Sequence, residues 1–175
     1  MLLIRDAHDQ DIRDIAKISV QGWRRAYRGI IDDAVLDGRS VDEEAERYRQ
    51  WIRELEQSQN RMVVVDEGDE VVGFASYGAN RDPENCFQAE LYAIYVNPDR
   101  TRQGIGTLIV RDMAHWLKAH GYRDLVVWCL KANPSCRFYE RHGAERVAER
   151  TIEIGSQVLD EIGFGWHTLI PLRKE

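Results

Sequence analysis

The sequence predicts a single α/β domain organised around one mixed sheet, and three observations carry that expectation. A strand, helix, strand run between Glu90 and Leu130 requires a parallel crossover. Residues 61–65 with 70–77, and residues 146–154 with 157–169, each read as an antiparallel hairpin. The length, 175 residues of which 43% are hydrophobic, suffices for one substantial core and is short for two.

The elements follow in order. After a short first strand at residues 2–5, Asp9 is placed to cap a helix whose Ile12, Ile15, Ala16, Trp23, Ala26 and Tyr27 recur at helical spacing, with Gly29 as its stop. A second helix opens on a capping box of Ser40 and Glu43, whose side chains can reciprocally satisfy free backbone donors, and continues through Tyr48, Ile52 and Leu55. The first hairpin turns at Glu67, Gly68 and Asp69. Residues 87–96 are rich in β-formers and end at Asn97 and Pro98, because proline removes a ladder donor and biases its predecessor toward extended backbone. Leu108, Ile109, Met113, Trp116 and Leu117 then keep the helical period, Gly121 supplies a stop, and residues 125–130 form a strand of the buried type. Pro134 suits the first turn of a last helix that carries Phe138 and Tyr139 and closes at Gly143, and the second hairpin turns around Gly155 and Ser156.

With 24 Lys plus Arg against 30 Asp plus Glu, the formal charge is -6. Bulk electrostatics therefore favour neither nucleic acid nor an anionic membrane, and any bound anion must be captured locally. No apolar run approaches the roughly 18 residues that cross a bilayer, so a cytoplasmic protein without a membrane partner is expected. Cys86, Cys129 and Cys136 form no CxxC pair, which suggests packed thiols and no metal site or disulfide framework.

Local capture of an anion is on offer at Arg102, Gln103, Gly104, Ile105 and Gly106. The first turn of a helix presents unpaired N–H groups at the favourable end of its dipole, which suits a phosphate. Gly104 and Gly106 allow close approach and positive φ, and Arg100 and Arg102 bring charge beside the turn. A dinucleotide fingerprint wants a third glycine where Ile109 stands and an acidic residue closing the second strand, whereas Asp124 opens it. A Walker-type loop is excluded because no Gly-Lys-Ser or Gly-Lys-Thr follows.

The strand at residues 90–96, Asn97 and Pro98, the glycine turn, the helix, the strand at 125–130, then Asn133 and the run Phe138, Tyr139, Glu140, Arg141, His142, Gly143 together resemble the GCN5-related N-acetyltransferase (GNAT) superfamily. The resemblance covers nearly the whole chain. It implies a GNAT-like acyl-CoA N-acyltransferase fold, a strongly twisted mixed sheet with splayed central strands flanked by helices, spanning residues 1–175 as one N-acetyltransferase domain. It implies acetyl-CoA (coenzyme A) as cofactor, its pyrophosphate held by backbone amides of Arg102, Gln103, Gly104, Ile105, Gly106 and Thr107. One departure is Thr101, which stands where the family has Gln or Arg; Arg100 or Arg102 is then expected to supply the missing side-chain contact.

Further roles follow from the same resemblance. Ile94 and Val96 would present backbone groups to the pantetheine and the thioester carbonyl, and an N–H there would stabilise an oxyanion. Asn133 would bond the pantetheine or order its connection. Tyr139 is the candidate acid for the departing thiolate, a phenol of reference pKa about 10. Glu90 is the candidate general base, at the start of the strand that ends at the thioester. The acceptor is expected against an aromatic wall of Trp23, Tyr27, Tyr77 and Trp166, although helical spacing makes Trp23 and Tyr27 core residues first. The resulting expectation is transfer of an acetyl group to a primary amine of a small molecule or peptide, with a coenzyme A-binding sensor of the same fold as the alternative. A homodimer is left open.

Overall fold

The computed structural model describes residues 1–55, 58–82 and 84–169. In chain order these form β1 (Leu2–Asp6), α1 (Ile12–Tyr27), α2 (Asp33–Asp37), α3 (Val41–Leu55), β2 (Arg61–Glu67), β3 (Glu70–Ala79) and β4 (Ala89–Val96). Then come α4 (Ile105–Ala119), β5 (Leu125–Leu130), α5 (Cys136–Arg141), β6 (Glu145–Ile154) and β7 (Gln157–Trp166). The strands make one seven-stranded sheet in the order β1-β2-β3-β4-β5-β7-β6. Every neighbouring pair is antiparallel except β4 and β5, which α4 joins as a parallel crossover.

Side-chain alternation divides the sheet into two faces. Val63, Val72, Leu91 and Val127 pack against Ile105, Ile109, Met113 and Leu117 of α4. On the other face Met62, Val64 and Phe74 meet Ile12, Ile15 and Ala16 of α1 and Tyr48 of α3. A third cluster joins Ile31, Leu36 and Leu130 to Trp23, Tyr27 and the far end of the β6–β7 hairpin.

The parallel contact between β4 and β5 is short. Ala89, Glu90 and Leu91 lie opposite Leu125, Val126 and Val127, and the pairing then stops. A bulge coincides with the parting: Ser76 faces Ala93 and Tyr77 faces Leu91, so Tyr92 is the extra residue of β4. A bulge bends its strand and increases local twist, which carries the rest of β4 away from β5.

Several local expectations are corrected. Asp9 does not cap α1: a 3₁₀ turn at Asp9–Asp11 precedes the helix, and Asp11 accepts the His8 N–H at 2.8 Å while Arg5 clamps the same carboxylate. Of the capping box, the serine half forms, with Ser40 Oγ accepting from Asp42 and Glu43 N–H at 3.2 and 3.4 Å. The short α2 carried too few apolar residues to show a period. Residues 87 and 88 lie outside β4, where the Asp124 carboxylate accepts the Gln88 N–H at 2.6 Å.

Gly22 fixes how closely α1 sits on β4. A Cβ there would lie 2.7 Å from the Tyr95 ring, so the helix tolerates a poor helix former in return for close packing. Gly22→Ala should therefore lower stability by about 1–3 kcal/mol, against the helix-propensity trend, as overpacking does. Urea unfolding checks this, and a stabilised variant would show that Tyr95 yields freely.

Candidate active site

The parting strands open a cleft of about 730 Å³. Tyr92 to Val96 form one wall, Val127, Trp128 and Cys129 the other, and the start of α4 closes one end. Backbone polarity along β4 follows from one bond: the Asn97 N–H donates to Val72 C=O of β3 at 2.9 Å. Strand residues alternate edges, so Tyr95 and Ala93 also turn toward β3, while Ile94 and Val96 direct N–H and C=O into the cleft. No strand pairs with that edge among the described residues.

At the α4 end, Leu108 N–H donates to Gly104 C=O to begin the helix, leaving the Ile105, Gly106 and Thr107 amides without intrahelical partners. Gly104 has φ 82°, and no atom lies within 4 Å of where its Cβ would stand, so the turn is open on that side. Arg102 has φ 62°, the one non-glycine residue with positive φ among the described residues. Backbone in that region is strained for a residue with a side chain, and such strain concentrates at ligand sites. Gly106 serves packing: a Cβ there would sit 3.1 Å from the Phe138 ring of α5. Cations complete this end, with Arg25, Arg102 and Arg141 lining the cleft. Open amides, a helix N-terminus and flanking arginines fit a pyrophosphate.

Two side chains expected at that end are otherwise engaged. Arg100 pairs with Glu67 and Glu70 and donates from Nε to Gln103 Oε1 at 3.1 Å, which occupies both side chains. Thr101 Oγ1 donates to Pro98 C=O at 3.3 Å, inside its own turn. Arg102 is therefore the nearer substitute for the family's Gln or Arg. Thr107 is braced from α5: His142 Nδ1 lies 2.8 Å from Phe138 C=O and so carries the proton, which makes Nε2 the acceptor for Thr107 Oγ1 at 3.0 Å.

At the other end, Tyr139 lines the cleft with only 7% of its surface exposed. Its ring packs against Phe164 and Trp166 at centroid distances of 5.7 and 6.3 Å. Burial pushes its phenol well above the usual range, so it holds its proton at neutral pH. Burial likewise pushes the Tyr27 phenol up to about 12, against hydrogen bonding to Asn133 and Tyr95. Asn133 is buried in the cleft wall and accepts the Ser135 N–H at 2.9 Å, ordering the β5–α5 connection.

Glu90 does not line the cleft. Both its oxygens are held by Arg81, Oε2 by the backbone N–H and Nε at 3.1 and 3.0 Å, Oε1 by Nη2 at 2.5 Å. Tyr77 does not reach the acceptor side: it points to the α4 face, bonded to Arg61 and Asp112 and set edge-on to Trp116. Trp166 packs behind Tyr139 and donates from Nε1 to His142 C=O at 2.8 Å. Trp23 lies in the third core cluster beneath the Arg39 guanidinium, 3.9 Å from its ring, so of the four aromatic residues only Tyr27 lines the cleft. Tyr92, Trp128 and Cys129 line it as well, and sequence reasoning passed over them because an inward and an outward residue look alike on an apolar strand.

Comparison with known proteins agrees with this geometry. A family model described as "Acetyltransferase (GNAT) family" matches residues 23–144. An uncharacterized N-acetyltransferase of Bacillus subtilis, YuaI, is 38% identical over 99% of this chain and 97% of its own. PaiA N-acetyltransferase of Thermoplasma acidophilum, solved with coenzyme A, superposes with a TM-score of 0.73 at 17% identity, covering 92% of this chain and 98% of that one. YncA of Salmonella typhimurium, solved with acetyl-CoA, gives 0.70 at 20% identity over 99% and 96%.

The strained turn yields a separable expectation. Arg102→Gly should raise stability by about 1 kcal/mol, because a left-handed residue with a Cβ costs roughly 1–2 kcal/mol. Coenzyme A affinity should fall by less than about tenfold, the loss of one exposed cation beside intact amides. Urea unfolding and calorimetric titration read the two effects independently.

Proposed function

The chain belongs to the acetyltransferase (GNAT) family, whose members use acetyl-CoA as acyl donor, and on that premise we propose that it acetylates the primary amine of a small molecule within the β4–β5 cleft. The observation that carries the reading is the pairing of an open helix N-terminus at one end of the cleft with a buried, protonated phenol at the other. When bound, acetyl-CoA supplies an activated acetyl group and a thiolate leaving group.

The residues of this chain then divide the work. Amides from Gly104 to Thr107, with Arg102 alongside, bind the pyrophosphate, and Thr107 is kept in place by His142. Ile94 and Val96 bond the pantetheine along the unpaired edge of β4, and an N–H of that edge faces the charge that develops on the acetyl oxygen. Asn133 holds the opposite wall. Burial keeps the proton on Tyr139 until the sulfur departs; Tyr139 would then give that proton to the sulfur and recover one from the nitrogen that has formed the new C–N bond, so that no charge is left on the buried phenol. Tyr27 meets the acceptor where α1 borders the cleft.

The test is thiol release from acetyl-CoA over a panel of primary amines, read beside calorimetric titration with coenzyme A. Steady amine-dependent release is expected, and Tyr139→Phe should reduce kcat by about 10²-fold while coenzyme A affinity stays within a few-fold. Coenzyme A binding without release to any amine would overturn the enzymatic reading. An unchanged kcat in the variant would remove Tyr139 from the proton path.

A further inference from the structure

Among the described residues that line the cleft, His142 is the only histidine, and it sits at the α4 end. It follows directly on α5, and both of its ring nitrogens are engaged. Nδ1 donates to Phe138 C=O in the last turn of α5 at 2.8 Å, and Nε2 lies 3.0 Å from Thr107 Oγ1 on the first turn of α4. The ring also leans on Phe138 at a centroid distance of 4.2 Å, and the His142 carbonyl accepts the Trp166 Nε1–H of β7. Thr107 lines the cleft beside it.

We infer that His142 takes up a proton when coenzyme A binds, and that this proton turns the Thr107 hydroxyl from the imidazole to the pyrophosphate. His142 is thereby a positioning residue for the acyl donor. The inference rests on the acetyltransferase reading, which puts the pyrophosphate at the start of α4.

Hydrogen-bond direction carries it. A carbonyl only accepts, so in the neutral ring the proton sits on Nδ1 and Nε2 carries a lone pair. Thr107 must then give its single hydroxyl proton to Nε2, and it retains only lone pairs for any other partner. A phosphate oxygen is itself an acceptor and gains nothing from that hydroxyl. Once Nε2 is protonated it becomes the donor, Thr107 Oγ1 accepts, and the hydroxyl proton is released for a phosphate oxygen. The imidazolium adds positive charge beside the anion. Solvent supplies the proton, and no bond between heavy atoms changes.

The surrounding charges set the direction of the linkage. Arg141 adjoins His142 on α5, Arg111 lies one turn beyond Thr107 on α4, and Arg25 of α1 and Arg102 of the glycine turn line the same cleft. Arg100 lines it too but is paired with Glu67 and Glu70. Glu140 of α5 is held by Arg146 of β6, and among the described residues no carboxylate bonds the imidazole. The cations disfavour an imidazolium in the free protein, and the negative charge of a bound pyrophosphate favours it. Binding therefore raises the titration of His142. Affinity is lowest above that titration, rises as pH falls through it, and levels off once the free protein is itself protonated.

Calorimetric titration with 3′-dephospho-coenzyme A tests this, because both phosphates of that ligand stay singly ionised throughout and contribute no proton change of their own. Buffers of unlike ionisation enthalpy count the protons taken up. The wild-type protein should bind about fivefold more tightly at about pH 6 than at about pH 8, with net proton uptake between them. His142→Gln should abolish the uptake and flatten the profile, whereas loss of a purely structural contact would weaken binding equally at every pH. Thr107→Val should lose affinity several-fold at the lower pH and little at the higher, where its hydroxyl is already given to the imidazole. Thr107→Ser should behave as the wild type. A flat wild-type profile, retained uptake in His142→Gln, or an equal loss at both pH values in Thr107→Val would overturn the inference. Failure of the wild-type protein to bind either this ligand or coenzyme A at any pH would instead sink the acetyltransferase reading beneath it.

Discussion

The molecule depends on a sheet that stops pairing in the middle. β4 and β5 share three opposed residue pairs and then separate, so the inner edge of β4 keeps its N–H and C=O groups unspent. Within a folded protein such groups are costly unless something bonds to them. Closing the gap would satisfy them and abolish the cleft. The bulge at Tyr92 prevents this by turning β4 away, and α1, seated on Tyr95 through Gly22, holds the diverging strand from the far face. A groove with strand-like bonding capacity is what an extended pantetheine arm requires.

Charge is distributed to suit that groove although the chain as a whole is acidic. The chain as a whole has a formal charge of -6, whereas Arg25, Arg102 and Arg141 gather near the α4 N-terminus. At the other end the polar groups are quieter: a phenol that burial keeps protonated and an asparagine that orders a turn. The cleft reads as two chemical environments joined by aromatic walls.

Much of this was legible beforehand, for identifiable reasons. The β5 strand, the hairpins and the helix after the glycine turn carry strong periodicity and punctuation, and they stand within a few residues of their expected bounds. Gly104 declared itself because a left-handed turn before a helix selects glycine. Ile94 and Val96 were named from the family resemblance, and strand alternation in the structure turns their backbone groups to the cleft. Glu90, Tyr77 and Trp166 were misplaced for one common reason: each was judged by residue type and chain position, while its role is set by partners distant in sequence.

The sequence alone therefore determined the order of elements, the mixed sheet and the left-handed glycine turn before α4, since these depend on local periodicity, capping and glycine conformations. Only the tertiary structure decided which carboxylates are spent on which arginines, and which face of the sheet each aromatic ring occupies. Those properties arise from registers between strands far apart in the chain, such as Leu130 against Glu161 and Arg150 against Glu161. A shift of one residue in either register would turn the same side chains to the opposite face, and no local pattern records it.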